Sequence, residues 1–323
     1  MISNINLGQQ LQVIEHLRAV PYDVTPTRLY TAASLYQGYD PDTPSTFPTC
    51  YDSRVYQHYL QTGKLTDNVA EDFARTLHDH RIHTAMREFL DTRNPIDCVG
   101  IMGGHALLRT DPMYREIVLI SKQLTEHGFL MISGGGPGAM EATHLGAWMA
   151  GRTLRELDDA LAILMPHPTF QDPAWLASAF RVMQRYPQDP LCVSLGIPTW
   201  LYGHEPATPF ATHIAKLFEN SLREDSILTL AYGGIIYAPG SAGTMQEIFQ
   251  DAVQNHYLSF GFSSPMVFLG RQFWTEEMPA YTLLSGMMQT GKYRNLLLTL
   301  SDDSQQIIAA IEAFREKAKS EKK

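Results

Sequence analysis

Cysteine is scarce in this chain: Cys50, Cys98 and Cys192 are the only three in 323 residues. Their wide spacing gives neither a disulfide framework nor a metal-ligand pattern, and the apolar runs around Cys98 and Cys192 read as core. Long apolar runs are missing too. No stretch approaches the ~20 residues needed to span a bilayer, and no secretory leader is recognisable, so the expectation is a cytoplasmic protein with no membrane partner. Basic residues are outnumbered, 25 Lys and Arg against 34 Asp and Glu, for a formal charge of −9. That balance argues against nucleic acid as a partner, because a phosphate backbone asks for a basic face. A small anion at a locally positive site is still compatible with it. No G-x-x-x-x-G-K-[ST] occurs, which speaks against P-loop phosphoryl transfer, and no G-x-S-x-G elbow is present. Lys122, Lys216 and Lys292 stand outside every glycine-rich turn, which speaks against a Schiff-base cofactor such as pyridoxal phosphate.

What is present is an ordinary globular composition, 44% hydrophobic and 18% charged, with length enough for a real core. Residues 1–95 show helical patterns and no strand alternation. Leu7, Leu11, Ile14 and Leu17 suit an opening helix ending before Pro21. Proline-rich loops follow at Pro41, Pro44 and Pro48, and Val69, Phe73 and Leu77, then Ile82, Met86, Phe89 and Leu90, predict further helix. His78, His80 and His83 invite a metal reading, but only His80 and His83 share a helical face and nothing nearby completes a site. A solvated helix face is expected there, and no metal.

From residue 96 the texture changes. Strands are predicted at 97–102, 129–132, 160–165, 235–238, 265–269 and 296–300, with helices between them and a last helix carrying Ile307, Ile308, Ile311 and Phe314. This rhythm predicts an α/β fold: a doubly wound, mostly parallel, Rossmann-like sheet over 96–323, preceded by a helical N-terminal extension over 1–95. Prolines break residues 166–222 into short pieces, read as an insertion roofing the crevice, with helices over 174–186 and 210–222. Three small-residue turns follow predicted strands: Gly103-Gly104-His105, Gly134-Gly135-Gly136-Pro137-Gly138, and Pro239-Gly240-Ser241-Ala242-Gly243-Thr244. In such a sheet they gather at the strands' carboxyl ends, where ligands bind.

The third turn organises the rest. It leads into a helix with Met245, Ile248, Phe249 and Ala252 at helical spacing, and a helix N-terminus is an anion site. Glu247, expected in the first turn and almost opposite that stripe, has two readings: a partner for the helix dipole or a group that does chemistry. For His105, ligand contact and a satisfied turn histidine both stand; for Glu141, ribose contact and a structural role. Tyr232, Trp200 and Tyr202 are candidates to stack on a base or to lie in the core.

Pro239-Gly-Ser-Ala-Gly-Thr-Met-Gln-Glu247 resembles the PGGxGTxxE motif of the LOG-type family, often mislabelled "lysine decarboxylase". That family includes cytokinin-activating phosphoribohydrolases and bacterial nucleotide 5′-monophosphate nucleosidases. Gly134-Gly-Gly-Pro-Gly-Ala-Met-Glu-Ala142 is similar to a second family turn, and nearest to that of the larger bacterial nucleosidases. The resemblance spans roughly residues 96–300. It implies hydrolysis of a nucleoside 5′-monophosphate to free base and ribose 5-phosphate, without a cofactor, in a homo-oligomer of two or more chains. It also implies catalytic roles for Glu247 and Arg223, the latter sixteen residues before Pro239. Substrate would be held by Gly240, Ser241, Ala242, Gly243 and Thr244, by Gly134, Gly135, Gly136, Gly138 and Glu141, and by Gly104 and His105. Ser241 departs from the motif's second glycine, a strained choice if that position needs a positive φ. Two alternatives stand beside the hydrolase: a protein that binds a nucleotide or phosphate-bearing cofactor without cleaving it, and, less well matched, a dinucleotide-dependent oxidoreductase.

Overall fold

The computed structural model describes residues 7–321. Four helices come first: α1 (Leu7–Ala19), α2 (Ala32–Leu35), α3 (Tyr51–Thr62) and α4 (Val69–Leu90). In α1, Leu17 packs on the core and Ile14 is exposed, while the side chains of Leu7 and Leu11 lie outside the described residues. Strand and helix then alternate through β1 (Cys98–Met102), α5 (Pro112–Glu126), β2 (Leu130–Ser133), α6 (Ala139–Trp148), α7 (Leu154–Leu164), α8 (Trp175–Arg185) and β3 (Ser194–Gly196). The remainder is β4 (His213–Ile214), α9 (Asn220–Leu230), β5 (Ile235–Tyr237), α10 (Ala242–Tyr257), β6 (Pro265–Leu269), α11 (Ala280–Gln289), β7 (Leu297–Ser301) and α12 (Ser304–Glu321).

The seven strands form one sheet in the order β4-β3-β2-β1-β5-β6-β7, every neighbouring pair parallel. The chain winds outward from β1 to β4, returns through α9 to the centre, and winds outward again from β5 to β7. The order therefore reverses between β1 and β5, which stand in register as Gly100 opposite Ile235 and Met102 opposite Tyr237. Side chains alternate across the sheet. Cys98, Met102, Ile235 and Tyr237 pack on one face with the N-terminal helices, α9, α10 and α11. Val99, Ile101, Ile236 and Ala238 pack on the other with α5, α6, α7 and α12.

Several expectations change. The apolar run at 160–165 is not a strand but the second half of α7, where Leu157, Ala160, Leu161 and Leu164 are buried at helical spacing. Upstream, Thr153 and Glu156 form a reciprocal capping box that starts the helix and settles an otherwise ambiguous run. Residues 210–219 are not helical. They carry β4, and residues 206–212 and 214–218 are buried without the polar side an amphipathic helix needs; helix α9 begins only at Asn220. The stretch read as an insertion thus contributes β3 and β4, one edge of the sheet.

Helix α4 forms as expected, with Ile82 and Met86 buried and Leu77, Phe89 and Leu90 packed against the core, but its first turns present a different face. Val69 and Phe73 are exposed, whereas Glu71, Arg75, His78 and Asp79 are buried. The buried polar groups are paired. Glu71 lies 2.8 Å from His16 and 3.0 Å from His58, and it accepts hydrogen bonds from Arg75 and Tyr22. His78, expected in solvent, is fully buried between Tyr30 and Asp79. His83 lies 3.0 Å from the Ser226 hydroxyl of α9, and His80 is exposed. Among the described residues no three His, Cys, Asp or Glu side chains form a group able to hold a metal, and no helix is long and apolar enough to cross a membrane.

Candidate functional site

A cleft of about 230 Å³ opens at the carboxyl ends of β1 and β5, where the strand order reverses, the expected ligand position in a doubly wound sheet. Its floor and walls bring together Gly104, His105, Gly134, Arg223, Ser241, Gly243, Thr244 and Glu247. The segments that supply them are distant in sequence, and parallel winding stacks them at one sheet edge.

The turn after β5 starts α10. Ser241 is its N-cap with φ −111°, a negative value open to any L residue, so the serine carries no strain of the kind a left-handed glycine position would impose. It makes no side-chain cap hydrogen bond. The first N–H groups of α10 have no intrahelical acceptor, and those of Gly243 and Thr244 belong to residues lining the cleft. Gly240 is the close approach here: a methyl on it would sit 2.2 Å from the Thr244 hydroxyl. Gly240 and Ala242 shape this turn without lining the cleft.

Glu247 falls in the second turn of α10, not the first, and it is 8% exposed. The buried face of α10 runs through Thr244, Glu247, Ile248, Asp251, Ala252 and Asn255. The apolar stripe read from sequence is therefore one flank of a face whose other half is polar. Burial pushes the Glu247 carboxyl up to about 7; Arg223 pulls it down and Glu224 pushes it further up. Such a group titrates in the range where acid–base catalysis works. One turn on, Asp251 is also pushed up to about 7 by burial, although the Tyr237 hydroxyl donates to it at 2.7 Å.

Arg223, in the first turns of α9, reaches over the glycine turn after β2. Its Nη1 lies 3.9 Å from Glu247 Oε1, and its Nε donates to the Ile197 carbonyl at 3.2 Å. A methyl at Gly134 would lie 2.0 Å from Arg223 Nη2, so the absence of a side chain there is what lets the guanidinium lie across the turn. Glu224 accepts from Asn220 and Gln246. The start of α9 is itself held from outside: the Asp79 carboxylate of α4 accepts from the backbone N–H of Phe218 at 3.0 Å and of Glu219 at 2.8 Å.

The other expected residues lie around this centre. Gly135, Gly136 and Gly138 build the β2–α6 turn but do not line the cleft; Gly138 packs beneath Gly104 and His105. Glu141 is fully buried, gripped by Nε and Nη2 of Arg109 and by the Tyr114 hydroxyl. It touches a neighbouring hollow beside Trp175 and Phe170, not the main cleft. His105 is half exposed and stands between the two. Trp200 is core, with its N–H donated to Asp52. Tyr232 packs with Phe260 and Phe262, away from the site, and Tyr202 alone of the three aromatics lines the cleft. Sequence reasoning did not single out Glu205, Glu224, Met102 or Met140, which also line it. Glu205 and Glu224 carried a faint signal, a carboxylate in a Gly203-His204-Glu205-Pro206 loop and one beside Arg223.

No family model matches the chain, and no curated protein matches it either. Among solved structures, the molybdenum cofactor carrier protein from Chlamydomonas reinhardtii is 17% identical, with a TM-score of 0.40 over 67% of this chain and 97% of that one. The molybdenum cofactor binding protein from the phototrophic bacterium Rippkaea orientalis is 13% identical, with a TM-score of 0.41 over 67% and 95%. The structural-genomics target TM1055 is 18% identical, with a TM-score of 0.43 over 67% and 98%. What the chain's own strand order establishes is an α/β, Rossmann-like sheet with helices on both faces.

Proposed function

We propose that the cleft hydrolyses the N-glycosidic bond of a nucleoside 5′-monophosphate, releasing free base and ribose 5-phosphate. The observation that carries this reading is the pairing of a buried carboxyl, Glu247, with Arg223 beside the amino end of α10. The bond breaks through an oxocarbenium-like state, which a nearby carboxylate stabilises. Water adds its oxygen to C1′, the C1′–N electrons leave with the base, Glu247 takes the proton from the water, and the leaving nitrogen is protonated from solvent as Glu247 returns its proton there. The N–H groups opening α10 and the Thr244 hydroxyl suit the 5′-phosphate, since a helix N-terminus favours an anion. Arg223 adds a fixed positive charge for the phosphate and aligns Glu247.

The test is a panel of purine and pyrimidine nucleoside 5′-monophosphates, with free base and ribose 5-phosphate measured. Turnover of at least one is expected, with loss of roughly 10²-fold or more in Glu247→Gln and binding largely kept. Because the ionised carboxylate is the working form, kcat/KM should fall as pH drops below about 7, the value to which Glu247 is raised. Binding without any release by the wild-type protein would make it a nucleotide or phosphate-cofactor carrier instead.

A further inference from the structure

Of the two cleft carboxylates that this reaction leaves without a role, Glu224 is held by Asn220 and Gln246, and Glu205 has no such donors. It follows the short turn Trp200–Tyr202, its backbone N–H donates to the Tyr202 carbonyl at 2.8 Å, and it lines the cleft with a side chain only 14% exposed. Its oxygens have no hydrogen-bond donor of the described residues within reach. Two imidazoles stand at longer range, His204 Nε2 at 3.6 Å and His105 Nε2 at 3.9 Å from Oε1. The second oxygen faces the glycine turn, 3.8 Å from where a Cβ on Gly136 would stand. On that same turn Arg223 covers Gly134, so the turn carries a cation at one end and a carboxylate without hydrogen-bond donors at the other.

A carboxylate only accepts, and its two oxygens suit two neighbouring donors on a planar or vicinal group. A nucleotide lacks any cation to pair with it, and an anionic ligand gains nothing from a negative charge unless it brings donors of its own. Resting on the nucleotide reading above, we infer that Glu205 is a specificity-determining residue which accepts a pair of adjacent hydrogen-bond donors from the substrate. Two parts of a nucleotide offer such a pair. One is the 2′,3′-diol of ribose; the other is the N1–H and 2-amino edge of guanine, which adenine lacks. Both present the same chemistry to Glu205, and binding measurements separate them.

The test uses the full chain carrying Glu247→Gln, so that the bound nucleotide stays intact, with and without Glu205→Gln. Isothermal titration calorimetry is run with GMP, IMP, AMP and 2′-deoxy-GMP, and circular dichroism checks the fold of each variant. The expected result is a tenfold or greater loss of affinity for GMP on adding Glu205→Gln. If the loss is equal for GMP, IMP and AMP and vanishes with the 2′-deoxy ligand, the donors are the diol; if it is confined to the two guanine ligands, GMP and 2′-deoxy-GMP, they are the guanine edge. A change under twofold for every ligand, or tighter binding once the negative charge is gone, overturns the assignment and leaves the hydrolase reading standing. Conversely, a wild-type protein that binds and never cleaves, together with the tenfold loss, keeps Glu205 and removes the hydrolase. No binding of any monophosphate at millimolar concentration overturns both.

Discussion

At the scale of single residues, the site turns on what is missing as much as on what is present. Gly134 matters because Arg223 occupies the space its side chain would fill. Gly134→Ala is expected to displace the guanidinium and lower kcat/KM by roughly one to two orders of magnitude, the cost of misplacing a catalytic group by about 1 Å. Its melting temperature should move far less than its activity, and a steady-state assay beside a thermal melt checks the contrast. Glu247 leaves a second signature, in stability. Its folded-state pKa is raised to about 7 from an ordinary value of 4.5, so the folded protein holds its proton more tightly than the unfolded chain. That contribution is fully present at pH values below the unfolded pKa and is lost as pH rises through about 7. Glu247→Gln should therefore raise the melting temperature by a few degrees at pH 8, on the order of 1–3 kcal/mol, and do little at pH 4. Differential scanning fluorimetry across that range shows the sign directly. The motif was legible here and its phase was not. A carboxyl, a threonine and an aspartate share the buried face of α10 with Ile248 and Ala252, and an apolar-stripe reading cannot anticipate polar groups buried to serve a cleft.

At the scale of elements, α9 links the N-terminal helices to the cleft. It carries Arg223, and its first turn hangs on Asp79 of α4, two of whose hydrogen-bonded partners are backbone N–H groups. Asp79→Ala leaves those buried donors unsatisfied, a loss of roughly 2–4 kcal/mol, while Asp79→Asn retains one acceptor and should lose less. Both should lower kcat at temperatures well below their melts, with Asn the milder, because the start of α9 sets where Arg223 points. Chemical denaturation and kcat measured on the same samples check this order. Elements with one dominant signal were readable from sequence: β1, β2 and β5 from short apolar runs before small-residue turns, β6 and β7 from apolar runs alone, and α12 from its periodicity. Those that failed had rival signals. The six residues ending at Met165 are apolar enough for a strand until Thr153 and Glu156 are read as a cap. Ser194–Gly196 and His213–Ile214 are too short and too polar to announce themselves. In α4 the exposed Val69 and Phe73 imitate a core stripe while Glu71, Arg75 and His78 fill the true one.

Across the whole molecule, the strand order was foreseeable as parallel and doubly wound, but its extent was not. Residues 166–222 supply an edge of the sheet as well as Tyr202 and Glu205 of the cleft lining, and the N-terminal helices pack directly on the face that holds α9 and α10. Buried ion pairs span this contact. Lys216, beside β4, meets Asp52 of α3 at 2.6 Å with both side chains almost fully enclosed. Glu71 adds an opposite pH signature to that of Glu247. Burial alone would raise its pKa, yet the hydrogen bonds from His58, His16 and Arg75 outweigh it and hold the carboxyl low. Stability from Glu71 is present above the unfolded carboxylate pKa and is lost as pH falls, so acid loosens the N-terminal helices while it relieves α10.

The return crossover through α9 has one more consequence. A single helix runs from the edge of the sheet at β4 to its centre at β5, anchored at one end by Asp79 and reaching the cleft through Arg223. A ligand that fixes Arg223 therefore braces the amide groups of Phe218 and Glu219 along with the cleft itself. Hydrogen–deuterium exchange at those two amides should slow when a nucleoside monophosphate binds the Glu247→Gln protein, although neither lines the pocket. In Asp79→Ala that protection should disappear while protection at Gly243 and Thr244 persists, dividing the cooperative unit at the joint between α4 and α9.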